Sequence, residues 1–212
     1  MARKKKPSGR KSRTRSVRDL QRIPGVRAPL KVVIVYCEGL KTEQNYFSSL
    51  KKELRLRSVS IRIVGKGKAP ISIVQDASQA KMEVDGAHDE IWCVFDTESE
   101  NKQVNIGAAI ELAERNAIRL AISNPAFEYW FFIHFECSDR AFTDAQDLIN
   151  SLRQHLPNYA RTDDVFSVIW GMTGNAIANA ESLRRRAANP WEELPNPSTQ
   201  VDVLVSHLMS FG

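Results

Sequence analysis

The chain has 212 residues, of which 42% are apolar and 26% charged, and its formal net charge is +5. A chain of this length can bury a core without disulfides or metals, and suits one domain with an extension. It has no apolar run of the roughly 18 residues that cross a membrane and no apolar segment typical of a secretion signal. We therefore expect a cytoplasmic protein that does not enter a membrane.

The basic residues are concentrated at the N-terminus. Residues 1–30 hold eleven Lys and Arg and one acid, so the remainder of the chain is net negative. Residues 1–29 have almost nothing apolar to bury, which predicts a disordered basic arm. The arm could contact nucleic-acid phosphates or serve only solubility. The residues that we expect to contact nucleic acid are Lys4, Lys5, Lys6, Arg10, Lys11, Arg13 and Arg15.

Three cysteines, Cys37, Cys93 and Cys137, are widely spaced and form no CxxC pair. A zinc site or a disulfide framework is therefore not expected. Cys37 and Cys93 lie in apolar runs, which predicts buried free thiols, as in a reducing cytosol.

Strand and helix patterns alternate through the first half of the chain. The predicted strands are 31–36, 59–64, 90–95 and 117–122, and the predicted helices between them are 42–57, 71–84 and 105–116, with Thr42 as a helix cap. This alternation predicts an α/β fold with a four-stranded, mainly parallel sheet and right-handed crossovers. A 2-1-3-4 strand order would make the first and third strands neighbours.

The pattern becomes helical from residue 123. Asn124 and Pro125 predict the start of a buried helix through AFEYWFFIHF, and further helices are expected near 142–155, 173–188 and 199–209. We therefore divide the chain into a basic arm (1–29), an α/β core (30–136) and a helical C-terminal extension packed on the core (137–212).

Acidic residues follow two of the predicted strands. Glu38 ends the first strand, and Asp96 and Glu98 end the third. Ligands of open parallel sheets bind beyond the carboxyl ends of the strands, where these acids would meet. Such carboxylates need a cation or raised pKa values, and oxygen ligands suit Mg²⁺ or Mn²⁺. We predict Asp96 and Glu98 as metal ligands, Glu38 as a further ligand or general base, and Gly39 as a point of close substrate approach.

Other polar residues have weaker assignments. Glu43 could act directly or merely complement the dipole of its helix, and Glu128 is expected to support the site by a buried hydrogen bond. His134 is expected to be a core histidine. Lys66 and Lys68 could contact phosphate or form a plain basic loop. Residues 184–186, all arginine, could be a solvated helix end or a second patch for a polyanion.

Four segments resemble RloB-like proteins of bacteria. They are VYCEGLKTEQNYF (35–47), WCVFDTE (92–98), SNPAFEYWFFIHF (123–135) and NPST (196–199). The likeness runs in order from residue 31 to about residue 205. It places Thr42, Glu43, Ser123 and Asn124 within motifs of the family, and we assign them supporting roles.

The resemblance implies a Toprim-like fold, because RloB-like proteins are similar in plan to Toprim domains. These domains hold Mg²⁺ with a Glu after the first strand and a DxD after the third. The Glu position falls on Glu38 and the first Asp on Asp96. The second Asp position carries Glu98, a departure that could weaken one metal.

The resemblance also implies a role in anti-phage defence, including abortive infection. The sequence therefore predicts a Mg²⁺-dependent nuclease that hydrolyses phosphodiesters of DNA or RNA. A non-catalytic nucleic-acid-binding or partner-binding module and a primase-like nucleotidyl transferase remain the alternatives. The expected partners are nucleic acid and a defence protein such as an ATPase; self-association stays open.

Overall fold

The fold was analysed in a computed structural model of the protein. The structure describes residues 32–39, 41–63, 69–83, 90–97, 100–186 and 194–212. The predicted basic arm, Lys66, Lys68 and Glu98 lie outside these residues, so their assignments stay predictions. Residues 31–212 form one compact unit.

A five-stranded sheet in the order β2-β1-β3-β4-β5 carries the fold. Its strands are β1 (Val33–Cys37), β2 (Val59–Ile63), β3 (Glu90–Asp96), β4 (Arg119–Asn124) and β5 (Ser198–Thr199). The first four strands are parallel, and β5 runs antiparallel to β4. The first four strands have the 2-1-3-4 order, in which the first and third strands are neighbours. The predicted number of strands is wrong, because Ser198 and Thr199 pair with the end of β4.

Helices cover both faces of the sheet. They are α1 (Thr42–Glu53), α2 (Pro70–Glu83), α3 (Glu100–Arg115), α4 (Glu128–Phe132), α5 (Ala145–Leu152), α6 (Phe166–Ile169), α7 (Thr173–Arg186) and α8 (Val201–Met209), with a 3₁₀ turn at Trp170–Met172. Strand β1 is buried along its whole length. This burial on two faces explains its unbroken apolar sequence, which lacks polar alternation.

The two faces of the sheet have separate cores. On one face, Ile34 and Ile91 of the sheet pack with Ile73 of α2 and Ala109 of α3. On the other face, the residues that alternate with them pack with α1 and α4–α8; this larger core includes Val33, Trp92, Phe47, Trp130 and Leu204. The two thiols predicted to be buried are indeed buried, whereas Cys137 is exposed.

The second half of the chain departs from the predicted helices. Asn124 is the last residue of β4 and is joined to Pro125 by a cis peptide bond, so it does not cap a helix. The predicted helix through AFEYWFFIHF is only the short α4, whose N-cap is Phe127. The aromatic residues of this segment pack in the larger core, from α4 and from the turns on either side of it. The apolar pattern of the sequence does not distinguish this arrangement from one long helix.

The arginine run of α7 is only partly solvated. Arg184 has a side chain that is 20% exposed and binds both carboxylate oxygens of the buried Asp202 on α8, at 2.6 Å each. This pair links α7 to α8, so the reading of all three arginines as a solvated end is wrong for Arg184. In the described segments, no helix combines the length and the apolar character needed to cross a membrane.

Candidate functional site

The carboxyl ends of β1 and β3 lie side by side. Cys37 pairs with Val94, and the N–H of Glu38 donates to the carbonyl of Val94 at 3.1 Å. Glu38 is therefore nearly level with Asp96, the last residue of β3. Glu38 is buried, and Asp96 is partly buried. The strand order thus brings the two predicted acids to one edge of the sheet.

Glu43 extends this pair into a cluster of acids. It lies in the first turn of α1 and is only 5% exposed. Burial raises its pKa to about 8, a hydrogen bond to its own backbone opposes the rise, and repulsion from Asp96, Glu128 and Glu38 adds to it. Glu43 therefore feels the charge of acids on three other segments: Glu38 just after β1, Asp96 at the end of β3 and Glu128 on α4. We call these four residues the acid cluster.

Gly39 has a packing role within the acid cluster. A Cβ added to this residue would overlap the carboxyl group of Glu43. The absence of a side chain lets the loop after β1 pass directly beneath that carboxyl group. Glycine at this position therefore serves the placement of Glu43; the predicted approach of a substrate stays a prediction.

The positively charged side chain of Arg161 lies at the rim of the acid cluster. Glu128 is 2% exposed; its Oε1 accepts from the Tyr159 hydroxyl at 3.2 Å and lies 3.3 Å from Nε of Arg161. The Arg161 side chain is 43% exposed. This arginine thus partly neutralises a buried carboxylate while it faces solvent.

The loop that carries Arg161 is fastened to α1. Thr42 Oγ1 donates to the carbonyl of Arg161 at 2.8 Å, and Asn45 Nδ2 donates to the carbonyl of Thr162 at 3.2 Å. Thr42 is the first residue of α1, its N-cap is Lys41, and no side chain caps the helix. The prediction of Thr42 as a cap is therefore wrong, and its hydroxyl holds the Arg161 loop instead.

Ser123 and Asn124 tie strand ends together. Ser123 is 1% exposed, and its Oγ lies 2.8 Å from Oγ1 of Thr199. Asn124 Oδ1 accepts from Thr97 Oγ1 at 2.8 Å, and its Nδ2 donates to the carbonyl of Leu194 at 2.7 Å. Both residues thus fix the backbone beside Asp96, and the supporting role expected of them stays a prediction.

The donor chemistry of the acid cluster fits a hard cation. Mutually repelling, buried carboxylates are the oxygen ligands that Mg²⁺ accepts, and Mg²⁺ commonly uses one or two of them and keeps several waters. Among the described residues no three His, Cys, Asp or Glu side chains are close enough together to hold a metal ion.

Sequence reasoning gave too little weight to Glu43 and overlooked Arg161 and Tyr159. The signal for Glu43 was its place five residues after Glu38, across a strand-loop-helix turn that returns the chain to the same sheet edge. Nothing local marks Arg161, which reaches the site only through the packing of its loop on α1. His134 is 3% exposed with Nδ1 2.8 Å from the carbonyl of Trp130, as a core histidine should be.

These features define an α/β protein with a mostly parallel sheet, at whose carboxyl edge three buried acids and the partly buried Asp96 come together. The family model described as RloB-like protein matches residues 33–208. The chain therefore belongs to the RloB-like protein family, as its motifs indicated. Searches of the curated proteins and of the solved structures give no significant match.

Proposed function

We propose that this protein is a Toprim-like, Mg²⁺-dependent nuclease that acts in anti-phage defence. The single observation that supports hydrolytic metal chemistry best is the acid cluster at the carboxyl edge of the sheet, the edge where ligands of parallel sheets bind. The defence role rests on the family resemblance alone.

The charges of the cluster argue for a bound cation. Glu43 is held with a pKa of about 8 by burial and by three neighbouring carboxylates. Burial disfavours the ionised form of such a carboxyl group, and a nearby cation favours it. A strongly shifted pKa beside other carboxyl groups marks a candidate functional site. A divalent cation bound at the cluster would favour the ionised form of Glu43 and its neighbours.

Asp96 and Glu38 would hold the cation, with Glu98 as the further ligand that the sequence predicts. A bound Mg²⁺ would polarise the scissile phosphate and lower the pKa of a bound water. Glu43 would keep the cation and Glu38 in place through the contact with Gly39. The exposed guanidinium of Arg161 would bind a phosphate oxygen of the substrate, because its planar set of N–H donors matches the geometry of a phosphate group.

Cleavage assays on matched variants test this proposal. The protein would be incubated with labelled DNA and RNA pools and either Mg²⁺ or Mn²⁺, beside Asp96→Asn and Glu38→Gln. The matched control is Glu90→Gln, because Glu90 is a buried carboxylate at the opposite end of the same strand, bound by Trp92 Nε1 at 3.0 Å. We expect cleavage by the wild type and by Glu90→Gln, and at least a hundredfold loss in the other two, the order found for essential catalytic groups.

Each alternative has its own outcome in this experiment. Binding of nucleic acid without cleavage by the wild type would support the non-catalytic module. Incorporation of nucleotides would support the nucleotidyl transferase. Cleavage that persists in Asp96→Asn would place the active site elsewhere and end the proposal.

A further inference from the structure

A second feature of α1, at the end remote from the acid cluster, is a basic groove. An open groove of about 530 Å³ is lined by Ser48, Lys51, Lys52, Arg55, Leu56 and Arg57. Four of these six residues are basic and none is acidic. No ion pair or hydrogen bond joins the four basic side chains to another residue in the part of the chain that the structure describes.

The basic groove continues along one side of α1. At about 100° per residue, Gln44, Ser48, Lys51 and Lys52 fall on one side of the helix. The exposed Lys41 and Arg55 flank the two ends of the helix. The acid Glu53 lies about 180° from Gln44 around the axis, and Asp164 is held by Ser49 on another side of the helix. The outward stripe of α1 therefore joins the acid cluster to the basic groove without an acidic interruption.

Arg55 occupies a backbone position that favours glycine. Its φ is 53°, and its N–H and that of Leu56 donate to the carbonyls of Lys52 and Lys51 at 3.2 and 3.0 Å. These are the two hydrogen bonds of a Schellman motif, in which the left-handed residue after the helix is usually glycine. A side chain there is unfavourable to the fold. Helix-dipole complementarity explains Lys51 and Lys52, but it explains neither Arg55 nor Arg57, which lie beyond the helix.

We propose that the basic groove and the outward stripe of α1 bind the phosphate backbone of a nucleic-acid strand that leads into the acid cluster. Four unpaired basic side chains in an open groove match the regular negative charge of such a strand. The proposal rests on nucleic acid being the substrate class, as proposed above, and it assigns the substrate a path across the surface.

The length of α1 sets the footprint. The helix has 12 residues, so it spans about 18 Å. Phosphates of one strand in a duplex rise by about 3.4 Å each, so about five nucleotides would separate the basic groove from the acid cluster. Oligonucleotides too short to cover this distance should bind more weakly, because they cannot contact the basic groove and the acid cluster together.

Salt-dependent binding to the full-length chain tests the path without catalysis. Fluorescence anisotropy in EDTA would follow labelled single strands and duplexes of 20 nucleotides between about 50 and 300 mM salt. The variant is Lys51→Gln/Lys52→Gln/Arg57→Gln. If all three residues contact phosphates, the slope of log K against log salt should weaken by about 2.7 for duplex and about 2.1 for single strands.

A second triple variant controls for net charge. Arg115→Gln/Arg140→Gln/Arg153→Gln removes the same formal charge from three exposed residues outside the basic groove. We expect its slope to match that of the wild type. Equal slopes for both triple variants, or a wild type that binds no nucleic acid, would overturn the proposal. So would binding to phosphatidylserine vesicles in place of nucleic acid.

Arg55→Gly separates binding from folding. Glycine relieves the left-handed backbone, so the melting temperature should rise by about 2–4 °C, while the salt slope should weaken by about 1. A purely structural Arg55 would leave the slope unchanged and contradict the proposal. The binding assay requires no cleavage. If the groove variant weakens the salt slope and the wild type never cuts nucleic acid, the nuclease function is refuted and the binding path stands.

Discussion

The carboxyl group of Glu43 lies against the α-carbon of Gly39, so closely that a Cβ at residue 39 would overlap it. Gly39→Ala should therefore displace a buried carboxyl group and destabilise the fold by about 1–3 kcal/mol, the range for an overpacked core. Urea denaturation in EDTA would measure this loss in the free energy of unfolding.

A double-mutant cycle identifies the cause of the loss. Glu43→Ala removes the carboxyl group that the new methyl group meets, so Gly39→Ala should be at least about 1 kcal/mol less harmful in the Glu43→Ala background. Two strictly additive losses would mean that Gly39 is required for the backbone of its loop and not for the space beneath Glu43.

Glu43 could support a bound cation. Its pKa is raised to about 8, chiefly by burial, so the carboxyl group is largely neutral near pH 7 without metal, and a bound cation would favour its ionised form. Glu43→Gln keeps the size of the side chain and cannot ionise, so the affinity for Mn²⁺ should fall at least about tenfold, as with groups that support a metal site. Without metal the variant should be about as stable as the wild type near pH 7, because the amide replaces a carboxyl group that is itself largely neutral. Isothermal calorimetry and thermal unfolding measure the two effects.

The control for this variant is on the same helix. Glu53→Gln neutralises an exposed acid at the other end of α1 and should leave Mn²⁺ binding unchanged. Equal Mn²⁺ affinities for Glu43→Gln and the wild type would show that Glu43 does not support cation binding.

The parallel sheet could be predicted because its signal is local. Runs such as Val33–Cys37 are continuous and apolar, and their alternation with helices predicts parallel strands. The strand order is set by tertiary pairing, and the pairing of β1 with β3 brings Glu38 beside Asp96. The fifth strand was missed because Ser198–Thr199 has two residues and pairs with β4 only through tertiary contact. No periodicity can be read from so short a segment.

The rest of the site depends on packing between distant segments. Whether a helical Glu faces water or core cannot be read from one residue in a first turn, so the burial of Glu43 needed the position of α4. Arg161 reaches Glu128 because Thr42 and Asn45 hold its loop from 117–119 residues away. The length of α4 was overestimated since an all-apolar segment fits a buried helix and buried turns equally well.

The ion pair between Arg161 and Glu128 should contribute measurably to stability. Arg161→Gln removes the charged partner of the buried Glu128 carboxylate, and we expect a loss of about 1–2 kcal/mol, reduced from the buried-pair range because Arg161 is 43% exposed. Urea denaturation measures it. Arg115→Gln, which breaks the exposed pair with Glu111, should cost less than about 0.5 kcal/mol. Similar losses for both variants would refute a special role of the buried partner.

Asn196, the first residue of the NPST segment, should be structural. Its Nδ2 donates to the carbonyl of Phe142 at 2.6 Å and its Oδ1 accepts from the N–H of Phe142 at 3.1 Å. Asn196 is itself exposed, and water can replace part of these contacts, so Asn196→Ala should cost about 1–2 kcal/mol. Asn196→Asp keeps one acceptor and should cost less. Thermal and urea unfolding measure the order of the two variants. Asn150→Ala, an exposed control on α5, should be nearly neutral, and an Asn196→Ala variant as stable as this control would contradict the assignment.

His134 should make stability depend on pH. Burial lowers its pKa to about 4, although hydrogen bonds to the backbone of Trp130 and Phe131 oppose this, while the unfolded chain titrates near 6.5. Between these values the unfolded state binds the additional proton, so the free energy of unfolding should decrease as the pH falls from about 6.5 to 4, by about 3 kcal/mol in total from this residue.

A neutral replacement isolates this contribution of His134. His134→Gln cannot take up a proton, so its free energy of unfolding should fall less steeply than that of the wild type between pH 6.5 and 4. The absolute stability of the variant is a poor test, because the His134 ring packs edge-on against Trp130 with centroids 4.7 Å apart and glutamine cannot replace that contact. The slope is a clean test, since the lost packing is the same at every pH. Parallel curves for variant and wild type would show that His134 is protonated equally in the folded and unfolded chains.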